Sequence, residues 1–161
     1  MVFDPHSDWE ECLTCEKAEI PQKHLGNPSW HPSGEYIVFT AEKNDTPRIY
    51  DKVAIPGKGL YNDLYLMTRD GSQFWKIYEV SSRIVDVQGV IHPQFSQDGT
   101  MLMWAERLGP DTDNRHNWGE WALKVAEFDI VNDTPVLHNI STLQPSAQAQ
   151  FYESHAFTSD N

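Results

Sequence analysis

The sequence predicts an all-β fold, a β-propeller of four-stranded antiparallel blades that is incomplete within this chain. Three observations predict it. A hairpin returns at a fixed interval: Asn27-Pro28-Ser29-Trp30-His31-Pro32-Ser33-Gly34-Glu35-Tyr36-Ile37-Val38-Phe39 is answered by Pro93-Gln94-Phe95-Ser96-Gln97-Asp98-Gly99-Thr100-Met101-Leu102-Met103-Trp104, and a third copy opens at His155-Ala156-Phe157-Thr158-Ser159-Asp160-Asn161. Its turn residues, Gly34, Gly99 and Asn161, stand 65 and 62 residues apart, and all three types tolerate the positive φ of a tight hairpin. A repeat of one supersecondary unit is the mark of a stacked architecture. The strands leaving those turns, Tyr36-Ile37-Val38-Phe39 and Met101-Leu102-Met103-Trp104, are continuously apolar, as in a sheet covered on both faces. Asp70-Gly71 lies between aromatic and apolar runs, a hairpin signal of the same kind. A flat sandwich would show one polar face along each strand.

Taken in order, residues 1–18 read as the end of a preceding blade. Asp4-Pro5-His6-Ser7-Asp8 is turn-rich, and residues 9–14 can form a strand. Residues 19–80 read as a first full blade, with strands near 29–31, 36–40, 64–68 and 73–78. Residues 81–145 form a second, whose third strand covers 121–128, whose looser turn covers 129–134 and whose fourth strand covers 135–140. Residues 146–161 begin a third blade. Two full blades leave open sheet edges and one uncovered face. The expectation is a fragment of a longer product, or self-association that closes the ring.

The 161 residues carry 12 Lys plus Arg against 24 Asp plus Glu, a formal charge of −12, which repels a phosphate backbone and makes nucleic acid a poor partner. No apolar run approaches the roughly 18 residues of a membrane helix, so no membrane insertion is expected. The start, Met1-Val2-Phe3-Asp4-Pro5-His6, lacks the basic and apolar parts of a signal peptide. The two cysteines, Cys12 and Cys15, form a lone C-x-x-C. Without a second ligand pair or a helix to open, they read as two small residues near a strand end. A local disulfide, which would need a turn there, and a shared metal stay open.

Pro28-x-Trp30-x-Pro32-x-Gly34 followed by Ile37-x-Phe39, then strands ending near Asp-Gly and Leu-Thr, resembles the WD40-like propeller repeat of TolB-type proteins. The resemblance covers nearly the whole chain, twice, although these repeats exceed the usual 40 to 50 residues of a blade. It implies a periplasmic or extracellular setting. In such a propeller the turns at Ser33-Gly34, Asp70-Gly71 and Asp98-Gly99 share one end. The longer loops, at 19–27, 41–62, 80–92, 107–119 and 141–154, share the other, where binding groups on a rigid scaffold reside.

The candidate ligand-binding residues fall at that loop-rich end: His24, His92, Gln94, Arg115, His116, Trp118, Glu153 and His155. Arg115 offers a planar fork and Trp118 a stacking face. His92, His155 and His24, with Gln94 or Glu153 nearby, have the ligand chemistry of a divalent metal. No cofactor is expected, and a divalent metal is the one addition left open, because no spacing such as H-E-x-x-H supports it. Asp111-x-Asp113 opens like a calcium loop, but Arg115 stands at the next ligand position. No G-x-S-x-G or phosphate loop is present. Ile91-His92-Pro93-Gln94-Phe95 resembles a histidine-containing strand start of oligogalacturonate lyases, metal-binding propellers. The expected function is a non-catalytic binding module for a protein, peptide or glycan at the channel-mouth face. The alternative is part of a metal-assisted lyase or hydrolase acting on an acidic sugar or similar substrate.

Overall fold

A computed structural model describes residues 2–4, 9–46, 59–81, 87–108, 119–145 and 152–158. Among them, strands β1 (Val2–Asp4) and β2 (Trp9–Glu11) pair as a two-stranded sheet. Strands β3 (Lys23–Trp30), β4 (Tyr36–Glu42), β5 (Asn62–Thr68) and β6 (Phe74–Tyr78) form one four-stranded antiparallel meander. A second meander comprises β7 (Gly89–Phe95), β8 (Met101–Arg107), β9 (Trp121–Val131) and β10 (Thr134–Leu143). The described residues are all-β, with no helix.

The two meanders pack face to face, β3 against β7 and β6 against β10. Alternation along the strands explains the core between them. In the β4–β5 ladder Val38 opposes Leu66 while Thr40 opposes Leu64. Val38, Leu64 and Leu66 project onto Val90, Phe95, Leu102, Trp104, Ala126 and Phe128 of the second sheet. The intervening residues Ile37, Phe39, Ala41, Tyr65 and Met67 bury against Leu13 and Ile20 on the opposite face. The continuous apolar run of β4 is therefore buried on both sides, as expected. In β8 only Leu102 and Trp104 reach the inter-sheet core, while Met101 and Met103 are half-buried on the far face.

The inner strands are longer than the sequence pattern indicates. β3 starts at Lys23, inside the segment read as a loop, and β7 at Gly89. Register shifts explain why alternation failed to reveal them: β3 slips between Lys23 and Gly26 and again between Gly26 and Ser29, and β7 between Ile91 and Gln94. Each bulge holds residues at positive φ, His24 and Asn27 in β3 and His92 in β7. Such a bulge breaks the two-residue period. Asn27 and His92 are equivalent positions of the repeat, with φ of 51° and 52°.

Two further corrections concern turns. The connection between β9 and β10 is tight, because Asn132 and Asp133 both adopt positive φ and Val131 pairs directly with Thr134. At the N-terminus β2 ends at Glu11, and the chain turns through residues 13–16 with Glu16 at positive φ. That turn brings the Cα atoms of Cys12 and Cys15 to 5.5 Å, and the two are disulfide-bonded. The reading of two unpaired small residues near a strand end is thereby overturned.

The recurrent hairpin turns meet across the sheets. Gly99 has φ of +78°, and a Cβ there would sit 2.3 Å from His31 Nε2, so only glycine allows the approach. His31 Nε2–H donates to Gly99 O at 3.1 Å, and its Nδ1 accepts from Ser33 N. The ring also meets Phe95 and Phe128 edgewise or tilted.

Candidate functional site

The end of the sheets opposite these turns carries His24, His92 and His155 among the predicted residues. Asn27 Nδ2 donates to Thr40 Oγ1, which donates to Gly26 O, so the β3 bulge is fastened to β4. Nearer the hairpin turns, Ser29 Oγ donates to Gln94 Oε1, joining equivalent positions of the two inner strands, so Gln94 stands one residue from the turn-side end of β7 and not at the loop-rich end. Among the predicted residues, Gln94 is thus spent partly on packing the sheets together.

His24 lies on β3, with its Nε2 3.3 Å from Glu42 Oε2. Glu42 is 1% exposed and neither carboxylate oxygen has a hydrogen bond of acceptable geometry, so this contact is close electrostatic approach and not a hydrogen bond. The His92 and His155 rings stack with centroids 6.5 Å apart and planes 23° from parallel. His92 Nδ1 is buried without a hydrogen-bond partner. The third repeat copy reaches the same place, since the buried Ser154 donates its hydroxyl to His92 O. Glu153 Oε2 approaches His155 Nε2 to 3.5 Å. Arg115, His116 and Trp118 lie outside the described residues.

The structure therefore joins His92 to His155 and pairs His24 with Glu42. Among the described residues, no group of three or more His, Cys, Asp or Glu side chains is arranged to hold a metal ion.

A second polar site at this end contains none of the predicted residues. Lys43, just beyond β4, and Asp63, near the start of β5, are almost fully buried. Lys43 Nζ donates to Asp63 Oδ2 at 2.7 Å and to Glu79 Oε1 at 3.1 Å. Lys76 Nζ lies 3.0 Å from Glu79 Oε1 and 3.8 Å from Asp63 Oδ2. Asp63 Oδ1 also accepts from Val80 N. Burial raises the Asp63 carboxyl above its ordinary value, opposed by the hydrogen bond from Lys43 and the one from Val80. Hydrogen bonds from Lys76 and Lys43 lower Glu79. Burial first, then the charges of Asp63 and Glu79, push the Tyr65 hydroxyl up to about 12, so it remains a donor at neutral pH. These groups line a cavity of about 210 Å³.

Residue spacing carries no sign of this cluster, because its members are spread from position 43 to 79. The one available signal is the placement of Lys43 and Asp63 against two apolar runs, 36–41 and 64–67. Pairing of Ala41 with Asp63 turns those run ends into neighbours. Compared with protein-family models, curated proteins and solved structures, the chain has no match.

Proposed function

We propose that this chain is a segment of a TolB-like β-propeller acting as a non-catalytic binding module, taking a protein, peptide or glycan partner at its loop-rich end. The propeller reading is supported by like packing on like: inner strand β3 meets inner strand β7, and outer strand β6 meets outer strand β10. Equivalent bulges at Asn27 and His92 add to that support. Self-association through the open far face of the second sheet, where Leu143 is exposed, belongs to the same proposal. A periplasmic or extracellular setting is supported by the Cys12–Cys15 disulfide, since such bonds persist in oxidising compartments.

The observation that carries binding is His92. Its Nδ1 is buried and without a partner, beside a ring stacked on His155 at the end where the inner strands bulge. A buried polar atom left unpaired costs about 1–3 kcal/mol, and a ligand group that reaches it offsets that cost. Titration of the protein with oligosaccharide and peptide panels, followed by histidine side-chain NMR, tests the reading. Saturable shifts are expected at His92 and His155 and not at His31, on the opposite end. Shifts confined to His31 would overturn it, as would stoichiometric manganese or zinc that is lost on replacing His92 and His155.

A further inference from the structure

We infer that the cavity bounded by Lys43, Asp63, Tyr65, Lys76 and Glu79 is a binding subsite for a neutral polyhydroxyl ring, a single sugar residue. The inference stands on this cavity alone and does not depend on the propeller reading or on the histidines.

The charges of the site select the ligand class. Two ammonium groups and two carboxylates are interleaved within hydrogen-bond or ion-pair distance of one another. Neither sign is left in excess among these four. A fully anionic ligand would meet Asp63, Glu79 and the neighbouring Asp45, while a cationic one would meet Lys43 and Lys76. A zwitterion would have to separate pairs already in contact at 2.7 to 3.1 Å. Hydroxyl groups need no such rearrangement, because each one donates to a carboxylate and accepts from an ammonium at once.

The unused hydrogen-bonding capacity fits that requirement. Lys43 Nζ makes two hydrogen bonds and has three protons to give. Glu79 receives both lysines on Oε1, which leaves Oε2 to accept from a ligand. The Tyr65 hydroxyl adds a donor, while its ring is buried beneath against Phe39. Volume limits the occupant: about 210 Å³ lies below the ~300–1,000 Å³ of pockets that enclose drug-sized molecules. One ring fits, and a chain would have to extend outward. The way in is open, since Lys76 and Glu79 are 40% and 61% exposed.

Lys43 and Asp63 hold each other and the fold, so the test uses the exposed pair. Amide NMR of the full chain is followed while D-glucose, D-galactose and D-mannose are added, with glucuronate, glucosamine and serine as charged comparisons. At least one neutral hexose is expected to give saturable shifts at residues 43–45 and 76–80, and to bind more tightly than each charged comparison. Lys76→Gln and Glu79→Gln are each expected to weaken that binding by about tenfold, as loss of a charge-assisted hydrogen bond implies, with the fold retained by amide NMR and a fall in melting temperature confined to Glu79→Gln, which also loses the bond from Lys43. No saturable shift from any hexose overturns the inference, as does tighter binding of a charged comparison. Hexose shifts at His92 and His155 with none at 43–45 or 76–80 overturn it too, while leaving the binding function of the loop-rich end in place.

Discussion

At the scale of single residues, two hairpin turns use one device. In Thr68-Arg69-Asp70-Gly71-Ser72, Asp70 Oδ1 accepts from Thr68 Oγ1, Ser72 Oγ and Ser72 N. In Ser96-Gln97-Asp98-Gly99-Thr100, Asp98 Oδ1 accepts from Ser96 Oγ, Thr100 N and Thr100 Oγ1. These bonds favour the ionised carboxylate. The hydroxyl of Thr68 and then that of Ser72 lower Asp70 to about 2, and the Ser96 hydroxyl followed by the Thr100 amide lowers Asp98 to about 2, both from 3.8. A folded-state value below the unfolded one adds stability that is complete above about pH 4 and is lost as pH falls through about 2. Asparagine at either position keeps an acceptor oxygen and removes the titration. Asp70→Asn and Asp98→Asn should therefore flatten the acid limb between about pH 4 and 2, read as the melting temperature against pH. An unchanged limb in the double variant would contradict the assignment.

At the scale of elements, the segment 12–20 closes one face of the first sheet. The disulfide folds it into a turn, Leu13 and Ile20 bury in the cluster with Ile37, Phe39 and Met67, and Lys17 Nζ sits 5.9 Å from the Phe74 ring centroid. A loop this short restricts the unfolded chain only modestly: chain-entropy reasoning gives about 2 kcal/mol for four residues. Reduction, or Cys12→Ser with Cys15→Ser, should lower the unfolding free energy by about that amount, measured by urea denaturation with and without reductant. The added consequence is local. Hydrogen exchange should rise in the segment 12–20 and at β4 residues beneath it, while the inter-sheet core around Trp104 stays protected. Equal loss of protection in both places would mean that the segment is not a separate cover.

At the scale of the whole molecule, the two sheets differ in what covers them. In the first, the central strands β4 and β5 are buried on both faces. The second buries Leu102, Trp104, Ala126 and Phe128 toward the first, and on its far face Ile91, Ala105 and Trp121 bury near the loop-rich end. Beyond them Met103 and Val125 are half-buried, and Leu143 is exposed. Register places Met103 opposite Val125 and Leu143 opposite Leu123 on that far face. An open apolar sheet face favours association. Light scattering should show a mass above the monomer that grows with protein concentration, and Leu143→Lys with Val125→Lys should restore the monomer. A monomer at all concentrations would remove self-association from the proposed function.

Strand order and hairpin positions are legible in the residues alone. Gly34, Gly99 and Asp70-Gly71 mark turns, and runs such as 36–39 mark strands buried on both faces. Those features are encoded by neighbours in the chain, through turn chemistry and side-chain period. His24, His92 and His155 are legible as to their end of the molecule but not as to their partners. His24 meets Glu42, and His92 meets His155, because bulges with positive φ at His24, Asn27 and His92 redirect side chains in a way alternation does not report. The same holds for Cys12 and Cys15, whose bond depends on the turn after β2.

Two things were thus readable from the residues alone: the all-β class, and the hairpin turns at Gly34, Gly71 and Gly99. Each of these follows from local preference and hydrophobic period. Folding is what brings Lys43, Asp63, Lys76 and Glu79 to one cavity and bonds Ser29 to Gln94 across 65 residues. Such meetings depend on register and on how one sheet lies against the next, and neither is written in the spacing of the residues that meet.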